Sequence, residues 1–194
     1  EWLPRPLACL FSAAVITLSL GLTSCTGDLN VTPINPNMNT QVDPVGLFNK
    51  CYANLAMAGN STGDGECDVD GLDGGTSGFI RQLWNSNELT TDEAICHWGD
   101  NGISQFCYNT YDASHPMLNG FFARLTTGIS YCNQYLNVCK DVDATKTAEI
   151  RFVRALEYYF LMDAFGNVPF AESLTKPVLK KRTEIYDWIE KELL

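Results

Sequence analysis

The chain has 194 residues, 45% apolar and 19% charged, which excludes a disordered or collagen-like chain and suits one domain with a sizeable core. Its 13 Lys and Arg stand against 23 Asp and Glu, a formal charge of −10. That balance excludes a nucleic-acid backbone as partner, because such binding rests on Lys and Arg neutralising phosphates.

The amino terminus reads as an address. No charge occurs from Pro6 to Gly27, and Leu7–Leu22 is an almost unbroken apolar run. The run is shorter than the ~20 residues a spanning helix needs, so it reads as the hydrophobic region of a secretory leader covering 1–24. It ends in Leu22-Thr23-Ser24-Cys25, small residues directly before a cysteine, which resembles a bacterial lipobox. Acyl chains on Cys25, each contributing ~0.8 kcal/mol per buried CH₂, would then hold the chain on a membrane. Residues 25–42, rich in Asn, Pro and Thr, read as a lipidated tether, and 43–194 as the folded domain.

Asp43-Pro44 opens a helix pattern with Leu47, Phe48, Cys51, Leu55 and Met57 as its apolar positions, Asp43 serving as cap and Pro44 as first turn. Gly59–Gly78 carries seven glycines among Asp64, Asp68, Asp70 and Asp73 and is expected to be a long structured loop. Phe79–Leu89 is short and amphipathic, Thr91-Asp92-Glu93 reads as another helix start, and Gly99–Pro116 reads mostly as loop. Leu118, Phe122, Leu125, Ile129, Cys132, Leu136 and Cys139 follow 4-3 spacing, one face of a helix of about six turns. A second long helix, about Thr145 to Phe165, is apolar nearly all round and is expected to be central. Gly166 suits its C-cap and Pro169 stops it. Thr183 opens a third helix through Ile185, Trp188 and Ile189. Two long antiparallel helices with a short connection, and a third running to the chain's end, predict a mainly α fold. Its architecture is expected to be helical-hairpin repeats with a long irregular loop region, an incomplete portion of a larger fold.

Several stretches together carry a resemblance. They are Cys25-Thr26-Gly27-Asp28-Leu29-Asn30-Val31-Thr32-Pro33, Glu149-Ile150-Arg151-Phe152-Val153-Arg154-Ala155-Leu156, Phe165-Gly166-Asn167-Val168-Pro169-Phe170, and Lys181-Arg182-Thr183-Glu184-Ile185-Tyr186. In this order they resemble the SusD/RagB family of nutrient-binding outer-membrane lipoproteins, over roughly the amino-terminal third of its members. Asp70-Gly71-Leu72-Asp73, Ser77-Gly78-Phe79-Ile80-Arg81 and Asn87-Glu88-Leu89-Thr90-Thr91-Asp92-Glu93 resemble the family's starch-binding member more narrowly. The resemblance implies a surface-exposed, non-catalytic glycan-binding lipoprotein of the outer membrane, built on tetratricopeptide-like helices. It would lie over a SusC-like, TonB-dependent transporter and pass α-glucan fragments to it, without a cofactor. Matched motif to motif, the resemblance places the glycan contacts on Asp73, Arg81, Trp98 and Asn101. Sugar C–H faces stack on aromatic rings while Asp, Arg and Asn meet hydroxyls, so these residue types suit the task. Where the relative has a Trp-x-Trp pair, this chain has Cys96-His97-Trp98, a loss that weakens or redirects stacking and leaves a different polysaccharide open.

Plainer readings stand beside these. Trp98 could anchor a loop, Arg81 could serve a structural ion pair, and Asp73 could cap a turn. Glu66-Cys67-Asp68-Val69-Asp70-Gly71 opens like a calcium loop but reaches Ser77 where a bidentate Glu is required. Cys96, His97, Cys107 and His115 are zinc-type ligands at no recognised spacing, so no metal is expected. Cys132 and Cys139 lie ~10.5 Å apart along one helix, beyond the ~7 Å of a disulfide, and read as core residues. Cys51, Cys67, Cys96 and Cys107 could pair in three ways. A glycosidase would need paired carboxylates, for which Glu88, Asp92 and Glu93 are the candidates, and no nucleophile elbow or phosphate loop is present. The remaining alternative is a helical-repeat adaptor of the envelope.

Overall fold

The computed structural model describes residues 42–59, 67–69 and 72–194. The leader, Cys25, the tether up to residue 41, and Glu66, Asp70 and Gly71 of the calcium-like stretch lie outside the described residues. Helix α1 (Pro44–Ala56) begins as expected. The Asp43 carboxylate accepts from the Val45 amide at 3.0 Å and Pro44 occupies the first turn, where a missing N–H costs nothing. Helix α2 (Phe79–Glu88) turns Phe79, Gln82 and Asn85 inward, a three-residue spacing that marks its buried face.

The stretch Thr91-Asp92-Glu93 does not start a helix. The Thr91 hydroxyl donates to the Glu88 carbonyl at 2.7 Å and accepts from the Glu93 amide at 3.2 Å, so it closes the end of α2. A hydroxyl that satisfies the backbone locally competes with the helical ladder, and residues 94–100 continue without regular structure. The next segment is less of a loop than its composition suggests, because Ile103–Cys107 forms a short helix α3. It is entered through Gly102 at φ 106°, a conformation glycine adopts without steric cost.

Helix α4 (Pro116–Val138) and helix α5 (Ala144–Phe165) are the antiparallel pair anticipated from the sequence. Asn133 meets Arg154 and Cys132 meets Glu157 across their seam. The buried face of α4 is shifted from the 4-3 stripe, for Leu125, Ile129 and Cys132 are buried together with Met117, Phe121, Arg124, Gly128 and Tyr135, while Leu118, Phe122 and Leu136 are half-buried. In α5 the expectation of an all-round apolar, central helix holds only in part. Phe152 and Tyr159 are exposed, whereas Arg154 and Glu157 are buried. Gly166 caps α5 at φ 74°. A two-stranded antiparallel hairpin, β1 (Val168–Phe170) and β2 (Val178–Lys180), then pairs Val168 with Lys180 and Phe170 with Val178. Helix α6 (Arg182–Leu193) opens with the Lys181 amide donating to the Glu184 carboxylate at 2.9 Å.

From Val42 onward the described residues form one unit, mainly helical. One apolar cluster joins α2, α4, α5, β1 and α6 through Phe79, Phe121, Leu125, Tyr158, Leu161, Phe170 and Ile185. A second joins α1, α4 and α5 through Cys51, Cys132, Tyr135, Cys139, Ile150 and Val153. Cys51, Cys67, Cys96, Cys107, Cys132 and Cys139 are all free thiols. Among the described residues no helix is long and apolar enough to cross a membrane.

Two buried guanidiniums tie this core to its loops. Arg124, fully buried on α4, donates to the carbonyls of Ala58 at 2.9 Å and Ser77 at 3.0 Å, and to the carboxylate of Asp68 at 2.6 Å. The five donors of one planar group thus hold both ends of the glycine-rich loop. Burial pushes the Asp68 carboxyl upward, but hydrogen bonding and charge from Arg124, with Lys50, outweigh it and hold the group below the usual value. Arg154 on α5 donates to Asn133 at 2.8 Å, to the Glu172 carbonyl at 3.0 Å and to Glu192 of α6 at 2.6 Å. Between these clusters sits Glu157, fully buried. It accepts from Asn54 at 2.8 Å and receives the Cys132 thiol at 3.7 Å, and burial pushes its carboxyl well above the ordinary range.

Candidate functional site

Helix α2 decides which groups reach the surface. With Phe79, Gln82 and Asn85 facing inward, Ile80, Arg81 and Trp84 are left toward the other side. The chain then doubles back, so that residues 95–98 face α2 across a groove of about 890 Å³. Ile80, Arg81, Trp84, Ile95, His97 and Trp98 line its walls, and Gly74, Gly75 and Gly78 line its loop side. Trp98 is 66% exposed and Trp84 47% exposed. Indoles so open to solvent cannot be explained as core packing.

Arg81 organises the junction. Its guanidinium lies 4.9 Å from the Trp98 ring centroid, its Nη2 pairs with the Asp100 carboxylate at 2.5 Å, and its Nη1 donates to the Gly75 carbonyl. The guanidinium therefore fixes the returning segment and the glycine loop at once, and braces one face of the indole. Beyond the ion pair lies a second recess of about 370 Å³, with Asp73, Thr76, Gln82, Asp100 and Asn101 among its lining residues. Asp73 is exposed and caps its own turn, accepting from the Thr76 amide at 3.1 Å.

The four residues matched from the sequence thus fall on two adjoining recesses. Arg81 and Trp98 line the groove, Asp73 and Asn101 line the smaller recess, and Arg81–Asp100 is shared ground between them. The structural readings of Arg81 and Asp73 are realised as well, without removing either from the surface of the site. Sequence reading missed Trp84, Asp100 and Gln82. Trp84 had a usable signal, three residues after Arg81 on the same helix and therefore on the same face. Asp100 had none, because its partner lies nineteen residues away.

The zinc-type residues do not assemble. His115 is buried and caps α4. Its Nδ1 accepts from the Leu118 amide at 3.4 Å, so Nε2 carries the proton and donates to the Gly102 carbonyl at 2.9 Å. Both ring nitrogens are engaged, while His97 stands exposed in the groove. Of the carboxylates a glycosidase reading would use, Asp92 and Glu93 are exposed in the turn after α2.

No family model matches the chain. The chain is 41% identical over 192 residues to "Starch-binding protein SusD" of Bacteroides thetaiotaomicron, a match covering 95% of this chain and 35% of that protein. The chain therefore spans about a third of the length of the curated relative it matches, and the resemblance read from its motifs extends over almost all of it.

Proposed function

We propose that the chain is the glycan-capturing portion of a non-catalytic surface lipoprotein, binding starch-derived malto-oligosaccharides and delivering them to a SusC-like, TonB-dependent transporter. The observation that carries this reading is the exposed Trp98 indole with Arg81 stacked on one side, beside a recess lined by Asp73 and Asn101. A flat apolar platform next to directed hydrogen-bonding groups suits a sugar ring, whose C–H face stacks while its hydroxyls pair. The bracing of Trp98 by Arg81 pre-organises the platform, which lowers the ordering cost of binding. Similarity to a relative named as starch-binding supports the choice of α-glucan. Residues 1–24 would be the leader, Cys25 the lipidated anchor in the outer membrane, 25–42 the tether and 43–194 the folded portion.

A different polysaccharide is the second reading, favoured by one feature. Cys96 and His97 occupy the groove wall where a second indole would broaden the stacking surface. Affinity electrophoresis of the full-length protein, beginning at Cys25 with Cys25→Ala, tests both. Gels containing amylopectin, pullulan, dextran, xylan or levan are run with Trp98→Ala alongside. Retardation by amylopectin and pullulan, lost in Trp98→Ala, is the expected result. Retardation only by another polysaccharide replaces the ligand and keeps the site, and no retardation in any gel favours an envelope adaptor.

A further inference from the structure

Buried polar atoms without partners are rare in folded proteins, and each asks for an explanation. Among the described residues, two such atoms belong to consecutive residues at the candidate site, Arg81 Nε and Gln82 Oε1. Gln82 is only 2% exposed and lines the smaller recess with Asp73, Asp100 and Asn101. Its Nε2 donates to the Thr76 carbonyl, which fixes the orientation of the amide and leaves Oε1 as the free acceptor. The neighbouring carboxylates are already engaged, Asp100 by the Arg81 guanidinium and Asp73 by the Thr76 amide. What Gln82 Oε1 lacks is a hydrogen-bond donor. A hydroxyl supplies one, whereas an anion would meet this acceptor and two carboxylates in the same wall.

We infer that Gln82 is a specificity-determining residue of this site, its Oε1 accepting one hydroxyl of the bound oligosaccharide. This rests on the glycan-binding reading above. Leaving a buried acceptor unpaired costs more than the net gain of an ordinary hydrogen bond, so a ligand lacking that hydroxyl is discriminated against by about tenfold. The test is calorimetric titration of the full-length protein with maltotriose and its monodeoxy derivatives, using wild type, Gln82→Met and Gln82→Lys. Lys keeps a donor for the Thr76 carbonyl and, like Met, lacks the acceptor, so either folded variant decides the matter.

In the wild type, removal of one particular hydroxyl is expected to weaken binding about tenfold. In both variants that penalty disappears while the penalties at other positions remain. A purely structural role for Gln82 would weaken maltotriose and every derivative alike and leave the selective penalty in place, which overturns the assignment. A wild type with no hydroxyl standing out overturns it too, with glycan binding intact. Failure of the wild type to bind maltotriose at all removes the α-glucan reading and this inference together.

Discussion

Gly128→Ala sets local propensity against tertiary packing. In the interior of α4, alanine is favoured over glycine by about 1 kcal/mol on helix propensity alone. A Cβ at position 128, however, would stand 1.8 Å from Glu157 Oε1 and 2.1 Å from Asn54 Nδ2. Both side chains are buried and bonded to each other at 2.8 Å, so neither can swing into solvent. Displacing them costs ~1–3 kcal/mol for overpacking and ~1–3 kcal/mol for the broken buried hydrogen bond. Set against the propensity gain, the net loss is about 3 kcal/mol, or roughly 6–12 °C in melting temperature for a chain of this size. Gly120 on the same helix is the control. Its added Cβ would meet Leu72 at an ordinary 3.7 Å, and Gly120→Ala should leave stability unchanged or raise it by up to ~1 kcal/mol. Thermal and urea unfolding of both variants, followed by circular dichroism, measures the contrast. If Gly128→Ala proves as stable as Gly120→Ala, α4 does not pack closely against Glu157 and Asn54 at this position.

Glu157 keeps its proton in the folded state above the pH where the unfolded chain releases it, so its contribution to stability is full below about 4.5 and declines as pH rises. Glu157→Gln should therefore match wild type near pH 4 and become the more stable protein toward pH 7, and parallel urea midpoints across that range check the crossover. Glu192 behaves oppositely. Burial pushes its carboxyl up, but hydrogen bonds from Arg151 and Arg154 outweigh burial and hold it below 4.5, so its stabilisation is present above that pH and lost on acidification. Glu192→Gln leaves buried Arg154 without its charge partner and should cost about 3 kcal/mol at pH 7 while flattening the acid limb of stability. Asp43→Ala removes the acceptor for the Val45 amide and should lower the unfolding free energy by about 1 kcal/mol, with Asp43→Ser restoring most of it. An undiminished urea midpoint in Asp43→Ala would show that the cap contributes nothing.

The long helices and their limits were legible in the chain because their causes are local. Asp43-Pro44 at one start and Gly166 at one end act through groups within a few residues, and the spacing of Leu125, Ile129 and Cys132 reports a buried face directly. The motifs that carry the family resemblance likewise need only order along the chain. Other features were decided by partners remote in sequence. Thr91-Asp92-Glu93 has the composition of a helix start, yet the Thr91 hydroxyl finds the end of α2 first. Strands of three residues are too short for any periodicity to show, so the hairpin before α6 could not be read. Arg124, Arg154 and Glu157 look like surface positions by residue type and are buried, because carbonyls and carboxylates from distant segments satisfy them there. The site follows the same division. Asp73, Arg81, Trp98 and Asn101 could be matched from the sequence as residues, but their distribution over two recesses could not. Nor could the Arg81–Asp100 pair between those recesses, or the unpartnered acceptor of Gln82. Those depend on how the glycine loop and the 95–101 segment fold against α2, and long-range packing against α4 sets that geometry where local preference has no reach.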